Sequence, residues 1–203
     1  MRESCSYTAR MSMQLEEIEA ALRTLGAVLQ DRETPFGLLI VGGGNLLLLG
    51  LIDRPTADVD VIGVKDGSHY RQATELPEPL LSAAADVADA LGIPAKWINS
   101  GPASLMEFGL PLGWEERVVV RQYGALEIHL MSRFDQICLK LYAATDRGPD
   151  DKHFHDLVQL TPTRQELLRA AAWTRTHDPS EGFRTMLLGC LDRFGVEADD
   201  VAP

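Results

Sequence analysis

LLIVGGGNLLLLGLIDRPTADVDVIGV, residues 38–64, joins two apolar runs through three glycines and ends in a segment with two aspartates one residue apart. The apolar run from Phe36 to Val41 is too short for a helix and predicts a buried strand. The run from Asn45 to Ile52 predicts a short, fully buried helix, and the alternation from Asp58 to Val64 predicts a second strand. The stretch therefore predicts a strand, a glycine turn, a helix and a strand that begins with an acidic pair.

Asp58 and Asp60 are unexpected in a strand that otherwise looks buried. Side chains two residues apart on a strand point to the same face, so the carboxylates point together while Val59 and Val61 face the core. Two neighbouring carboxylates repel each other unless a cation lies between them. Mg²⁺ takes oxygen ligands and often shares them with substrate phosphates. The pair therefore indicates a metal site, and the alternative is two exposed acids at a strand end.

The three glycines in VGGGN follow a strand and open a helix, where backbone N–H groups can hold a phosphate. A dinucleotide-binding turn of the form G-x-G-x-x-G is excluded, because its third glycine would fall on Leu47. A Walker loop is excluded because no G-K-[ST] follows. The glycines remain a candidate phosphate-binding turn.

The rest of the first 131 residues predicts helices around a small sheet. Leucines at helical spacing predict a helix over residues 14–30, and LLSAAADVADALG predicts another that ends at Gly92. RVVVRQYGALEIHLM predicts a hairpin with its turn near Tyr123 and Gly124. The Gly- and Pro-rich segment NSGPASLMEFGLPLGWEE predicts a loop.

The C-terminal third predicts only helices. Ser132 with Asp135, and Thr163 with Glu166, form candidate caps at helix starts. The expected fold is therefore α+β, with a small mixed sheet and flanking helices. We expect a core domain over residues 1–131 and a helical region over residues 132–203 that packs on it.

Composition narrows the functional classes. The chain of 203 residues is 45% hydrophobic, enough for a sizeable core, and its net charge of −11 disfavours a surface that binds nucleic acid throughout. No apolar run approaches the roughly 20 residues of a membrane span. Cys5, Cys138 and Cys190 lie far apart, which argues against a disulfide framework or zinc knuckle. We expect a cytoplasmic protein with no membrane contact.

The spacing of glycines and aspartates resembles the nucleotidyltransferase superfamily, whose motif is Gly-Gly or Gly-Ser, a spacer, and Asp-x-Asp. Here Gly42 and Gly43 precede a long spacer and Asp58-Val-Asp60. This variant is most similar to the nucleotidyltransferase-like toxins of abortive-infection (type IV) toxin–antitoxin systems and to bacterial relatives. A second motif of those proteins, a Lys-small-Arg helix and a Lys/Arg-Asp-x-x-Asp-Leu stretch, resembles KLYAATDR and KHFHDL, which supply Lys140, Ala143, Arg147, Lys152 and Asp156.

The resemblance implies transfer of a nucleoside monophosphate from an NTP to an acceptor hydroxyl, with release of pyrophosphate. Asp58 and Asp60 would hold Mg²⁺ or Mn²⁺, Lys140 would contact phosphate, and Asp156 would be a further active-site carboxylate. The residues expected to contact the NTP are Gly42, Gly43, Gly44, Asn45 and Arg147. The expected acceptor is tRNA, another RNA or a protein, and an antitoxin partner or a homo-oligomer fits the same family.

Two further placements are expected. Lys140 lies in the apolar stretch ICLKLYA, so burial would require a carboxylate or an anion, and we expect it to converge with Asp156 on the cleft of the acidic pair. The alternative is a surface lysine. Glu127 is the candidate third metal ligand, since many nucleotidyltransferases carry a carboxylate on a neighbouring strand, and it shares a face with His129. The alternative is an acid on the solvent side of the hairpin.

Two functions stay open at this stage. Asp58, Asp60 and Lys140 favour an active, metal-dependent nucleotidyltransferase. Two departures favour a catalytically inactive protein of the same fold that binds a nucleotide or a partner. Gly44 stands where relatives often have Ser or Thr, and His153 replaces the first aspartate of the second motif.

Overall fold

The computed structural model describes residues 12–148, 150–197 and 199. Within these residues it has nine helices and one six-stranded mixed sheet, which confirms the predicted α+β class. The described residues form two compact units. The first holds those up to Leu49, Asp53–Glu107 and Val120–Leu130, and the second holds Gly50–Ile52, Phe108–Val119 and those from Met131 onward. A domain division between residues 131 and 132 stays a prediction.

The sheet belongs to the first unit except for Val119. Its strands are β1 Phe36–Val41, β2 Val59–Asp66, β3 His69–Gln72, β4 Ile98–Asn99, β5 Val119–Tyr123 and β6 Leu126–Leu130. Their order is β3-β2-β1-β6-β5, with β4 paired to β2. The central strand β1 runs antiparallel to β2 and parallel to β6. All but the first residue of β1 are buried, as its continuous apolar sequence predicts.

Three helices complete the first unit's core: α1 Leu15–Asp31, α2 Gly42–Leu48 and α3 Glu78–Leu91. Helix α1 packs against α2, α3 and β6 through a stripe of buried leucines at helical spacing. Each fully buried leucine contributes about 1.5–3 kcal/mol relative to an exposed one. Helix α3 is followed by Gly92 in the left-handed region, at φ +64°, so it ends where the sequence predicts.

Three local predictions need correction. The helix expected over residues 45–52 begins three residues earlier and ends four residues earlier, at Leu48, so the glycines form its first turn. Strand β3, a hairpin partner of β2, has no apolar alternation and was not predicted. The segment predicted as a loop contains two one-turn helices, α4 Leu105–Phe108 and α5 Trp114–Arg117. Four residues are too few to show a helical period.

Beyond Leu130 the described residues form helices and no strand, as predicted. The main helices are α6 Arg133–Arg147, α7 Lys152–Gln159, α8 Arg164–His177 and α9 Glu181–Asp192. Helix α6 packs against the other three. Both predicted caps are present: Ser132 accepts a hydrogen bond from the Asp135 N–H, and Thr163 forms a capping box with Glu166. The caps fix where these helices begin.

Cys138 and Cys190 are buried free thiols, and burial raises the pKa of the Cys138 thiol to about 12. Cys5 lies outside the described residues. Among the described helices, none is both long enough and apolar enough to cross a membrane.

Candidate active site

Asp60 lies beside the first residue of helix α2. It pairs with Val41, the last residue of β1, so its carboxylate is directed to the point where the chain turns from strand to helix. Gly42 has φ +76°, and a Cβ built on it would lie 2.5 Å from Asp60 Oδ2. Only glycine fits there, both because the backbone is left-handed and because the carboxylate occupies the space of a side chain. Backbone and carboxylate therefore meet directly.

Gly43 has a second close approach. A Cβ on this residue would lie 2.5 Å from the hydroxyl oxygen of Thr56, which is buried. The next two residues of the predicted phosphate-binding turn, Gly44 and Asn45, are also buried. The side chains of Asp60 and Thr56 therefore pack directly on the backbone at the start of α2.

Asp58 immediately precedes β2, and its carboxylate is hydrogen-bonded to a side chain of β4. The Asn99 side-chain amide donates to Asp58 Oδ2 at 2.9 Å, and the Gly101 N–H donates to Asn99 Oδ1 at 2.7 Å. Asn99 is the register partner of Asp60 in the parallel pairing of β2 with β4. Both aspartates are half-buried and lie at the same end of the sheet.

A cavity of about 730 Å³ opens beside Asp58 within the first unit. Its size falls in the range of small-molecule sites, about 300–1,000 Å³. Buried apolar side chains and exposed charged ones both contribute to the lining, which consists of Asp58, Thr74, Glu75, Leu76, Glu78, Leu81, Lys96, Ile98, Asn99, Ser100 and Gly101. One predicted site residue, Asp58, therefore lines a space large enough for part of a substrate.

Glu127 lies elsewhere on the sheet. It pairs with Gly37 near the start of β1, whereas Asp60 pairs with Val41 at the end of that strand. Four residues of strand separate these positions by about 13 Å. The Lys65 ammonium donates to Glu127 at 2.9 Å and holds its pKa below the usual value. The structure therefore does not bring Glu127 to the acidic pair.

Glu127 and His129 lie on the same face of β6, as expected. His129 Nε2 lies 3.2 Å from Glu127 Oε2, and His129 Nδ1 forms a 2.7 Å hydrogen bond with the Tyr70 hydroxyl. Burial lowers the pKa of His129. With Lys65 these residues form a local network among β2, β3 and β6, in which Lys65 is the partner of Glu127 that the sequence pattern did not indicate.

Lys140 and Asp156 meet inside the second unit. The Lys140 ammonium donates to Asp156 Oδ2 at 2.8 Å, and the two residues are 4% and 0% exposed. Lys140 is therefore not a surface lysine, and the carboxylate that its burial requires is Asp156. Their convergence on the acidic pair stays a prediction.

Arg147 and His153 lie between Lys140 and Asp156 in the sequence. Burial, with the Lys140 ammonium nearby, lowers the pKa of His153 to about 4, so the ring is neutral at pH 7. Arg147 is exposed at the end of α6 and lines a separate cavity of about 550 Å³ with residues of α9. A neutral histidine therefore occupies the position where the second motif has its first aspartate.

The donor set at the acidic strand fits a magnesium ion better than a metal held wholly by protein. Among the described residues, no group of three or more His, Cys, Asp or Glu side chains could enclose a metal. Mg²⁺ is commonly held by one or two carboxylates plus substrate phosphates and water. Asp58 and Asp60 supply two carboxylates at one end of the sheet, so the residues present fit Mg²⁺ or Mn²⁺ shared with substrate phosphates.

Sequence reasoning missed Asn99 and Thr56, the two side chains that pack around this pair. Neither belongs to a pattern that predicts chemistry. Asn99 begins the Gly- and Pro-rich segment predicted as a loop, and Thr56 lies in the spacer between glycines and aspartates. Their positions depend on the pairing of β4 with β2 and on an isolated bridge between Met13 and Thr56.

Comparison with known proteins identifies the family of this chain. The sequence profile of one family, described as nucleotidyltransferase of unknown function (DUF6036), matches residues 14–173, well over half of the chain. No significant match was found among curated proteins or among solved structures. The chain therefore belongs to the DUF6036 family of nucleotidyltransferases of unknown function.

Proposed function

We propose that this protein is a magnesium-dependent nucleotidyltransferase that transfers a nucleoside monophosphate from an NTP to an acceptor hydroxyl and releases pyrophosphate. The observation that carries the proposal is the approach of Asp60 to Gly42, where a Cβ would lie 2.5 Å from the carboxylate. Two carboxylates at the same end of the sheet can share a metal ion with the phosphates of a nucleotide. Mn²⁺ has the same ligand preference and would substitute.

In this proposal the protein contributes positioning and charge. Asp58 and Asp60 hold the cation, and Gly42 and Gly43 let phosphate oxygens approach the main chain. The cation, when bound, neutralises charge on the phosphates during transfer. Phosphoryl transfer needs alignment and charge compensation more than a covalent nucleophile, which agrees with the absence of a Ser or Cys from the proposed set.

The residues of the second motif take supporting roles in the proposal. Asp156 fixes the Lys140 ammonium through a buried 2.8 Å hydrogen bond. A lysine oriented in this way would contact phosphate as a point charge. Arg147, exposed at the end of α6, would supply a second phosphate contact.

The proposal also includes the class of the acceptor, which is RNA or protein. RNA, including tRNA, and protein both offer hydroxyl groups. The net charge of −11 predicts that an RNA acceptor would bind through a local surface rather than through the whole protein. The resemblance to toxins extends the proposal to an antitoxin partner, and self-association and a cytoplasmic location are compatible with it.

A second candidate function is a catalytically inactive module that binds a nucleotide or a partner protein. One observation favours it: the Lys140 ammonium is 4% exposed and already donates to Asp156. Most of its charge is therefore compensated inside the protein. A neutral His153 in the second motif points the same way.

The test incubates the purified protein with Mg²⁺ or Mn²⁺, each α-³²P-labelled NTP and total RNA, and then separates RNA from protein. Label on either fraction in wild type, absent from Asp60→Asn, supports the enzyme. A melting-temperature shift with metal and NTP but no transfer supports the binding module. No nucleotide-dependent shift in wild type with any metal and NTP would overturn the enzyme and the nucleotide-binding module, and would leave only a module that binds a partner protein.

A further inference from the structure

Asn99 connects a loop to the acidic strand. It is the second and last residue of β4, a strand too short to be stable without its pairing to β2. Its side chain is half-buried and makes two hydrogen bonds, one to Asp58 Oδ2 at 2.9 Å and one from the Gly101 N–H at 2.7 Å. The amide therefore bridges a main-chain turn and a predicted metal ligand.

The orientation of this amide is determined by its partners. A backbone N–H can only donate, so the atom that faces Gly101 must be the carbonyl oxygen of the side chain. The amide nitrogen then faces Asp58, whose carboxylate is the acceptor. A hydrogen bond to a charged acceptor is shorter and stronger than a neutral one, and it restricts rotation of the carboxylate.

We propose that Asn99 is a positioning residue that holds the Asp58 carboxylate in the orientation needed to bind the metal–nucleotide complex. The proposal rests on the proposed function, because it takes Asp58 as a metal ligand. Outer-shell groups that orient metal ligands typically change metal affinity about 10- to 100-fold when they are removed. Asn99 itself contacts neither metal nor phosphate in this proposal.

A purely structural role is the competing explanation, since Asn99 Oδ1 also stabilises the turn to Gly101. Asn99→Ser separates the two roles. A serine hydroxyl can accept the Gly101 N–H, because Ser forms the same kind of turn as Asn more weakly. Because its side chain is one atom shorter, serine cannot reach Asp58 with its O–H while it accepts from Gly101. Asn99→Ala removes both interactions and serves as the second variant.

Gln72→Ser is the matched control. Gln72 also carries a half-buried side-chain amide in the first unit, but its nitrogen donates to the Ala103 carbonyl at 3.1 Å rather than to a carboxylate. It therefore reports the cost of losing an amide hydrogen bond away from Asp58. Melting temperatures of all variants establish that each is folded.

The experiment titrates ATP, CTP, GTP and UTP in turn into the full-length protein by calorimetry, with Mn²⁺ and with EDTA. The dissociation constant in EDTA divided by the dissociation constant with Mn²⁺ measures the metal-dependent part of binding. We expect Asn99→Ser and Asn99→Ala to reduce this ratio about 10-fold or more, with little change in EDTA. Gln72→Ser should match wild type.

A double-mutant cycle with Asp58→Asn completes the test. If Asn99 acts through Asp58, adding Asn99→Ser to Asp58→Asn causes no further loss of metal-dependent binding. Equal ratios in wild type and Asn99→Ser, or a loss that adds fully to Asp58→Asn, overturn the positioning role while leaving the proposed function intact. A wild type that binds no NTP with Mn²⁺ overturns both.

Discussion

The Asp60 carboxylate occupies the space that a side chain on Gly42 would need, with Oδ2 2.5 Å from the position of its Cβ. Gly42→Ala must therefore move the carboxylate as well as strain a backbone at φ +76°. We expect a loss of about 1–2 kcal/mol of unfolding free energy from the left-handed conformation alone, and more from the clash. Urea denaturation measures the total, and calorimetry should show weaker binding of metal and NTP.

Gly67→Ala isolates the backbone contribution. Gly67 also has positive φ, +60°, but a Cβ there would meet nothing within 4 Å. Gly67→Ala should show only the loss of unfolding free energy that the left-handed backbone causes, with no change in nucleotide binding. If both variants lose the same stability and neither changes binding, the contact between Gly42 and Asp60 has no functional consequence.

The sequence predicted the centre of the fold because the relevant forces are local there. Continuous apolarity identified β1, alternation identified β2, and the caps at Ser132 and Thr163 located two helix starts. It failed where an element depends on pairing. Strand β3 has exposed polar residues and exists because its backbone pairs with β2. Such strands carry no hydrophobic period to detect.

Some positions in the candidate site were likewise predictable from the sequence, and others were not. The positions of Gly42 and Asp60 follow from chain order, since a strand, a turn and an adjacent strand bring them together. The position of Glu127 does not, because the register of β6 along β1 determines it, and that register pairs Glu127 with Gly37. Asn99 reaches Asp58 only through the pairing of β4 with β2. Register is set by packing across the sheet, which a single sequence does not display.

Asp60→Asn tests the acidic pair directly. An amide keeps the shape of the side chain and loses the charge that attracts a cation, so we expect the melting-temperature shift with Mg²⁺ and NTP to disappear. Asp66→Asn is the control, because Asp66 lies on the same strand and is exposed. It should keep the wild-type shift. An Asp60→Asn protein that binds metal and NTP as wild type does would exclude this carboxylate as a ligand.

Lys140→Met tests the buried ion pair. The variant leaves the Asp156 carboxylate, which is 0% exposed, without its 2.8 Å ammonium partner. Removing one partner of a buried pair costs about 3–5 kcal/mol, so urea denaturation should show a loss of that size. The double variant Lys140→Met with Asp156→Leu should recover much of it, since neither charge remains.

Lys152→Met provides the surface comparison for this pair. Lys152 is exposed at the start of α7, so its replacement should change the unfolding free energy by about 0.5 kcal/mol or less. A Lys140→Met variant as mild as Lys152→Met would mean that the ion pair contributes nothing to stability.

His153 predicts a pH dependence of stability. Burial, with Lys140 nearby, lowers the pKa of His153 to about 4, whereas an unfolded histidine titrates near 6.5. Between these values the unfolded chain binds a proton that the folded chain does not, so stability falls as pH decreases from about 6.5 to about 4. His153→Gln should remove this part of the loss, about 1–2 kcal/mol after allowance for partial exposure.

The exposed His155→Gln is the control for this pH dependence, and it lies on the same helix. Unfolding free energies at pH 7, 5.5 and 4 are compared for the three proteins. His155→Gln should follow wild type, while His153→Gln should decline less. Parallel curves for all three would show that folding does not lower the pKa of His153.

Glu127→Gln tests whether the third carboxylate belongs to the metal site. Its register with Gly37 separates it from Asp60 by about 13 Å along β1, so the melting-temperature shift with Mg²⁺ and NTP should be unchanged. Its partner Lys65 is 38% exposed and Glu127 itself 37%, so loss of the ion pair should cost no more than about 1 kcal/mol. Lys65→Met is the matched variant and should lose a similar amount. A Glu127→Gln protein that loses the metal-dependent shift while Lys65→Met retains it would restore Glu127 as a ligand, because only the carboxylate, and not the ion pair, would then be required.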